Sequence, residues 1–138
     1  MENVDPLELA AELRLTVGTL VRGLRAGDEL PQNQAAVLGR LVREGPCTTS
    51  ELAELQRVRH QSMARTVALL TEAGMVEQRP HAHDGRKVLI AATPSGTAAL
   101  HAQRARREGE LAAAITERLS PDEQQVLRRS VELLRRLA

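Results

Sequence analysis

With 138 residues, 42% of them apolar and 27% charged, the chain has the balance of one globular domain with a real core, and disorder is excluded. A single cysteine, Cys47, excludes an internal disulfide or a cysteine-built metal cage, and the lack of Phe, Tyr and Trp removes the stacking platforms of single-stranded nucleic-acid binders. A net charge of +1 excludes nothing, but without a leader-like start or an apolar run near the about 20 residues of a membrane helix, the expectation is a cytoplasmic protein with no membrane partner.

From about residue 6 to residue 26, Leu9, Leu13, Val17, Leu20 and Leu24 recur at helical steps, predicting an amphipathic helix ended by Gly27 and Asp28. A second helix is expected over residues 31–44, with Val37, Leu38, Leu41 and Val42 inward and Gly45-Pro46 as its stop. In TTSELAELQ, Thr48 and Glu51 have the spacing of a capping box. Leu52, Ala53 and Leu55 then take the inner face of a short third helix. Residues 57–59 (RVR) leave room only for a turn before HQSMARTVALLTEAG, a fourth helix closed by Gly74. Two short helices across so brief a turn predict a helix-turn-helix.

After Gly74 the period changes. MVEQRP (75–80) and RKVLIAA (86–92) read as strands of a hairpin joined by residues 81–85, with Pro80 at a strand end. Thr93 and Pro94 open a long fifth helix as N-cap and first position, with Gly109 as its weak spot. Ser120 and Glu123 make a second capping box before a last helix carrying Leu127, Val131, Leu134 and Leu137.

On the fourth helix, Met63, Val67 and Leu70 share one side, while Gln61, Ser62 and Arg65 share the other in its N-terminal half. A recognition helix needs that split, because outward donors and acceptors in its first turns reach base edges in a major groove. Arg65 suits guanine and Gln61 adenine, while Arg59, His60 and Thr66 flank them within reach of phosphates. Any surface helix also turns polar residues outward, so the helix alone decides little. The hairpin adds more. From Arg57 to Lys87 six cations (Arg57, Arg59, Arg65, Arg79, Arg86, Lys87) face three anions (Glu72, Glu77, Asp84). Arg86 at a hairpin tip could enter a minor groove, with Asp84 orienting its guanidinium by a salt bridge and Gly85 supplying a positive φ.

The tip, HAHDGRKV, also raises a metal reading. His81 and His83 stand on one face of an extended strand, but Asp84 adjoins His83 and would point elsewhere. Only His60 and His101 remain to complete a set, and the run falls short of the His-x-His-x-Asp-His signature of binuclear zinc hydrolases. No metal and no cofactor is expected. Cys47, ahead of the third helix, is either a small buried hydrophobe or a redox sensor acidified by a helix N-terminus. No nucleophile–base pair, Gly-rich phosphate loop or paired-carboxylate motif supports an enzyme.

Taken together, LPQNQAAVLGRLVREGPCTTSELAEL, VRHQSMARTVALLTEAGMVEQRP and DGRKVLIAATPSG resemble the MarR-type winged helix-turn-helix regulators over residues 30–96. Gln34, Leu38, Leu41, Gly45, Leu52, Ser62, Arg65, Leu70, Gly74, Arg79, Asp84, Arg86 and Gly96 sit where the family pattern puts such residues. The resemblance implies a mainly α (α+β) fold in a single MarR-type domain, residues 1–138, with a winged lobe at 31–93 and dimerisation helices at 1–27 and 94–138. It implies a homodimer on a pseudo-palindromic double-stranded operator. Gln61, Ser62 and Arg65 would serve the major groove, and Arg86, steadied by Asp84, the minor groove. It also implies repression relieved by a small-molecule effector held between the dimerisation helices and the DNA-binding lobe. Oxidation at Cys47 and action without a ligand stay open.

Two departures stand out: the wing reads Asp-Gly-Arg where many members carry Asp-Arg-Arg, and Ala92 lies in a stretch that often reads Leu-Thr. Apolar stripes on the terminal helices point independently to a dimer, with packing inside one chain as the alternative. A winged-helix module that binds proteins rather than DNA is the competing functional reading.

Overall fold

The computed structural model describes residues 2–138. In chain order it has α1 (Pro6–Arg25), α2 (Gln32–Glu44), α3 (Thr49–Gln56), α4 (His60–Glu72), β1 (Val76–Pro80), β2 (Val88–Ala92), α5 (Pro94–Arg118) and α6 (Pro121–Arg135). By its internal packing the chain forms two units. Asp28–Arg104 is the winged unit, and the residues up to Gly27 make the other with Ala105–Ala138. The division falls inside α5, so the first turns of that helix belong to the winged unit. Gly96, Leu100 and Gln103 are buried there.

Local chemistry explains the helix limits. Asp5 caps α1 by accepting from the Leu7 amide (2.9 Å), and Arg22 and Arg25 in the last turn suit the negative end of the helix dipole. Ser120 and Glu123 form a full capping box on α6, with bonds of 2.9 and 3.2 Å. The box on α3 is only half made. Thr48 Oγ1 accepts from the Glu51 amide (3.1 Å), but the Glu51 carboxylate takes the Thr48 hydroxyl (3.0 Å) rather than the backbone N–H.

Two helices end in paired backbone bonds of the Schellman type. On α3 the bonds are Arg57 N to Glu54 O (3.1 Å) and Val58 N to Ala53 O (3.0 Å), with Arg57 left-handed at φ 54°. On α4, Gly74 at φ 74° plays the same part. Arginine at φ > 0 costs on the order of 1 kcal/mol, which the tight three-residue turn between α3 and α4 requires.

The hairpin is antiparallel, with Val76 opposite Ala92 and Pro80 opposite Val88. Arg86 and Lys87, expected in the second strand, lie in the turn. The Asp84 side chain and carbonyl capture their amides at 3.0 and 3.1 Å, and that closes the strand ladder early. A third segment joins the sheet. Cys47 exchanges two backbone bonds with Ile90, at 3.0 and 2.7 Å.

The core of the winged unit is wholly aliphatic, built from Val37, Leu38, Leu41, Leu52, Met63, Val67, Leu70, Val76, Ile90 and Leu100. The expected inner face of α3 needs one correction. Leu52 and Ala53 are buried, but Leu55 is 39% exposed, because it lies on the far side of Leu52 from Ala53 around the helix. Val42 of α2 is likewise exposed. In the other unit, α1 and α6 bury no residue at all.

The wing meets α5 at a tight junction. Thr93 Oγ1 accepts from the Gly96 amide (3.1 Å) and donates to the Gly74 carbonyl (2.7 Å), while its own amide reaches Met75 O (3.0 Å). Gly96 is thereby pressed so close that a Cβ would overlap the Met75 carbonyl. Gly96→Ala should therefore cost roughly 2–3 kcal/mol in urea unfolding. In contrast, Gly39→Ala on α2 meets only the end of the Arg104 side chain, at 3.3 Å, so its unfolding midpoint should hold or rise.

Candidate nucleic-acid interface

Helix α4 is divided lengthwise by burial. Met63, Val67 and Leu70 enter the core, Gln61, Ser62 and Arg65 are exposed on the opposite side, and His60 is exposed at the first position of the helix. Thr66 does not belong to the exposed set. It is 6% exposed, and its hydroxyl donates to Ser62 O (3.1 Å) while accepting from Asn33 Nδ2 (3.2 Å). A hydroxyl so committed is out of reach of a phosphate, which corrects its assignment as a flanking contact.

The helix starts at Arg59 with no side-chain cap and no acid in its first turn. Its leading amides thus point at solvent, where the positive end of the dipole favours an anion. Arg57, Arg59, Arg65, Arg86 and Lys87 are all exposed, and among the described residues none of them forms an ion pair. Arg79 is different. Glu77 holds it from the same strand at 2.8 and 3.1 Å, so that cation is neutralised within the hairpin.

The wing tip is built by hydrogen bonds rather than by glycine. Gly85 is not in the left-handed region, since the positive-φ glycines are Gly45 and Gly74. Nor does Asp84 pair with the Arg86 guanidinium. Asp84 Oδ1 accepts from the Arg86 backbone amide (3.0 Å), an Asx-type turn that leaves the guanidinium free. His81 also takes part, because its Nδ1 accepts from the His83 and Asp84 amides, both at 3.1 Å. The histidines therefore shape a turn, and among the described residues no group of three or more His, Cys, Asp or Glu gathers to hold a metal.

A cleft of about 850 Å³ runs between the start of α3, the start of α4 and the wing tip, lined by Thr48, Thr49, Ser50, Arg57, His60, Arg86 and Lys87 among others. Glu51 and Glu54 share its wall, so its charge is mixed. The hydroxyl run at 48–50 was the sequence signal for this wall. Read only as a helix cap, it hid the place where α3 faces the wing.

Cys47 is 5% exposed, and its thiol lies 3.4 Å from the Gly45 carbonyl. Burial pushes the thiol above its ordinary range, as do the carboxylates of Glu51 and Glu44, against a smaller opposite pull from Arg40. A sensing cysteine needs an acidified, accessible thiol. Burial and the raised thiol favour the reading of Cys47 as a small buried hydrophobe.

A sequence model of the MarR family matches residues 29–87. The chain is 37% identical over 132 residues to an HTH-type transcriptional regulator of Mycobacterium leprae, covering 91% of this chain and 90% of that protein. An HTH-type transcriptional regulator of Mycobacterium tuberculosis is 36% identical over 129 residues with the same coverage, 91% and 90%. Among solved structures, a protein of Pseudomonas aeruginosa PA01 described as a transcriptional regulator superposes with a TM-score of 0.85 at 32% identity, over 99% of this chain and 97% of that one. Apo MarR of Escherichia coli shares the fold, with a TM-score of 0.66 at 22% identity over 96% and 98% of the two chains.

The buried thiol makes a prediction. Native protein should alkylate at Cys47 slowly and react fully only when unfolded, and peroxide should leave DNA affinity equal in wild type and Cys47→Ala. Because the folded state holds the thiol proton more tightly, its share of stability is full below the ordinary thiol range and lost as pH rises above it. The stability difference between the two proteins should accordingly stay constant below that range and shift against wild type only as pH rises above it.

Proposed function

The chain belongs to the MarR family of transcriptional regulators, and from that premise we propose that it binds double-stranded DNA as a homodimer and reads a pseudo-palindromic operator. The observation that carries the reading is the free, exposed set on one unit. Gln61, Ser62 and Arg65 sit on α4 with Arg59 and His60 at its start, and Arg86 stands at the wing tip without an ion-pair partner among the described residues. In this reading α4 enters the major groove, where Arg65 suits guanine O6 and N7 and Gln61 suits adenine. Arg86 takes the adjacent minor groove, where narrow A·T-rich stretches concentrate negative potential.

Support for the dimer comes from the second unit. Leu7, Leu9, Leu15, Val17 and Leu20 of α1 are exposed in the single chain, as are Val126, Leu127, Val131, Leu133 and Leu134 of α6. Burying a Leu or Val fully is worth about 1.5–3 kcal/mol. A surface of this apolar extent in a monomer marks an interface. The bound dimer would repress by occupying its operator. Relief would come from a small ligand rather than from Cys47, whose thiol is buried. Among the described residues no helix is long and apolar enough to cross a membrane.

Three measurements test the proposal. Arg65→Ala should cost about 1–3 kcal/mol on the preferred duplex and flatten its sequence preference. Arg86→Ala should weaken binding more evenly across duplexes than Arg65→Ala does and reduce the log–log salt slope by about 2 per dimer, one for each copy. Val131→Asp with Leu134→Asp should sediment as a monomer and lose operator binding. Equal affinity for preferred and random duplex at physiological salt would contradict the reading.

A further inference from the structure

We infer that His81 is a positioning residue for Arg86, holding the wing turn with a neutral imidazole so that protonation of His81 loosens the tip. The inference rests on the DNA-binding reading above for its effect on affinity, and on the turn alone for its mechanism. The bonds run in sequence. His81 Nδ1 accepts the Asp84 and His83 amides, both at 3.1 Å, and the His81 amide donates to Lys87 O (3.3 Å) across the mouth of the turn. Asp84, once placed, accepts the Arg86 amide on Oδ1 (3.0 Å) and the Lys87 amide on its carbonyl (3.1 Å). Beside the backbone bond from His81 to Lys87, the path from Arg86 through Asp84 back to β1 ends on one ring nitrogen.

That nitrogen has a single in-plane lone pair, which cannot hold a proton and serve two N–H donors at once. Gly85 lies in open space with no side chain to brace the tip, which leaves the cap as the local constraint.

Charged and titratable groups surround the turn. On the wing these are Glu77, Arg79, His83, Asp84, Arg86 and Lys87, and across the cleft Glu51 and Glu54 of α3, Arg57 of the turn and His60 of α4 face Arg86 and Lys87. Among the described residues no hydrogen bond or ion pair joins any of these side chains to the His81 ring. The His83 ring makes an edge contact, with centroids 6.3 Å apart. Protonation of His60 and His83 would add positive charge near phosphates and strengthen binding. The effect of His81 runs the other way, so it must be read against a variant that keeps the acceptor and cannot titrate. His81→Asn is that variant, because asparagine Oδ1 takes the position of histidine Nδ1 and accepts two donors.

The test uses the full chain in two arms, from pH 8 to pH 5.5. Without DNA, amide-exchange protection at His83 and Asp84 should fall about tenfold in wild type, the scale of lost hydrogen bonds. It should hold in His81→Asn, and it should be absent throughout in His81→Ala. With a duplex selected by the protein from a random library, the affinity ratio of His81→Asn to wild type should rise about tenfold as pH falls, on the same scale. A His81→Asn protein that follows the wild-type pH course in both arms overturns the inference, as does a His81→Ala protein with wild-type protection at pH 8. If no duplex is bound at pH 8 the DNA-binding reading fails, and the amide arm still decides the role of His81 in the turn.

Discussion

Two backbone hydrogen bonds between Cys47 and Ile90 decide how the winged unit is put together. A two-stranded hairpin alone is marginal in water. These bonds, each worth about 0.5–1.5 kcal/mol net, make the chain entering α3 a short third member of the sheet. The wing is thus tied by backbone to the helix-turn-helix, not left to swing on its own turn. Ile90 is 2% exposed and reaches the same core as Leu52 and Leu70, so the bond pair and the packing agree. Cys47 follows from this position, where a small apolar residue lets a bridge strand lie against a helix start. Its thiol is buried there as part of the core.

With the wing held, the unit can present two separate polar features from one rigid support. Burial divides α4 along its length, with the methionine, valine and leucine of one face anchoring the exposed glutamine, serine and arginine of the other. The tight turn at residues 57–59, bought with a left-handed Arg57, sets the angle at which α4 leaves α3. At the other end of the hairpin, Thr93 and Gly96 lock the exit strand to the chain leaving α4. Cations that serve the fold are paired, as Arg79 is with Glu77 and Arg40 with Glu44. Among the described residues, Arg57, Arg59, Arg65, Arg86 and Lys87, on the cleft and the exposed side of α4, are not.

Much of this was legible in the sequence because it depends on period and on local caps. The stripes of Val37, Leu38 and Leu41 and of Met63, Val67 and Leu70, the stop at Gly74 and the box at Ser120 all need only neighbours within a few residues. The misses depend on partners far along the chain or on hydrogen-bond choices between equivalent acceptors. Thr66 looked like a groove residue because its burial comes from Asn33 on another helix. Asp84 had two donors to choose from on Arg86, and a two-residue span favours the amide over the guanidinium. His81 looked like half a metal site, yet its nitrogen was already taken by the turn. For Cys47 the partner is Ile90, over forty residues away, and no local pattern announces it.

In the proposed function, α4 and the wing tip read DNA together, as two copies related by symmetry. Footprinting on a duplex selected by the protein tests it most directly, with dimethyl sulfate probing guanine N7 in the major groove and hydroxyl radicals probing the minor groove. Two major-groove protections should appear about one or two helical turns apart, each flanked on its outer side by a minor-groove protection from the wing. Protection of a single unpaired site, or a major-groove pattern with no flanking minor-groove signal, would contradict the account.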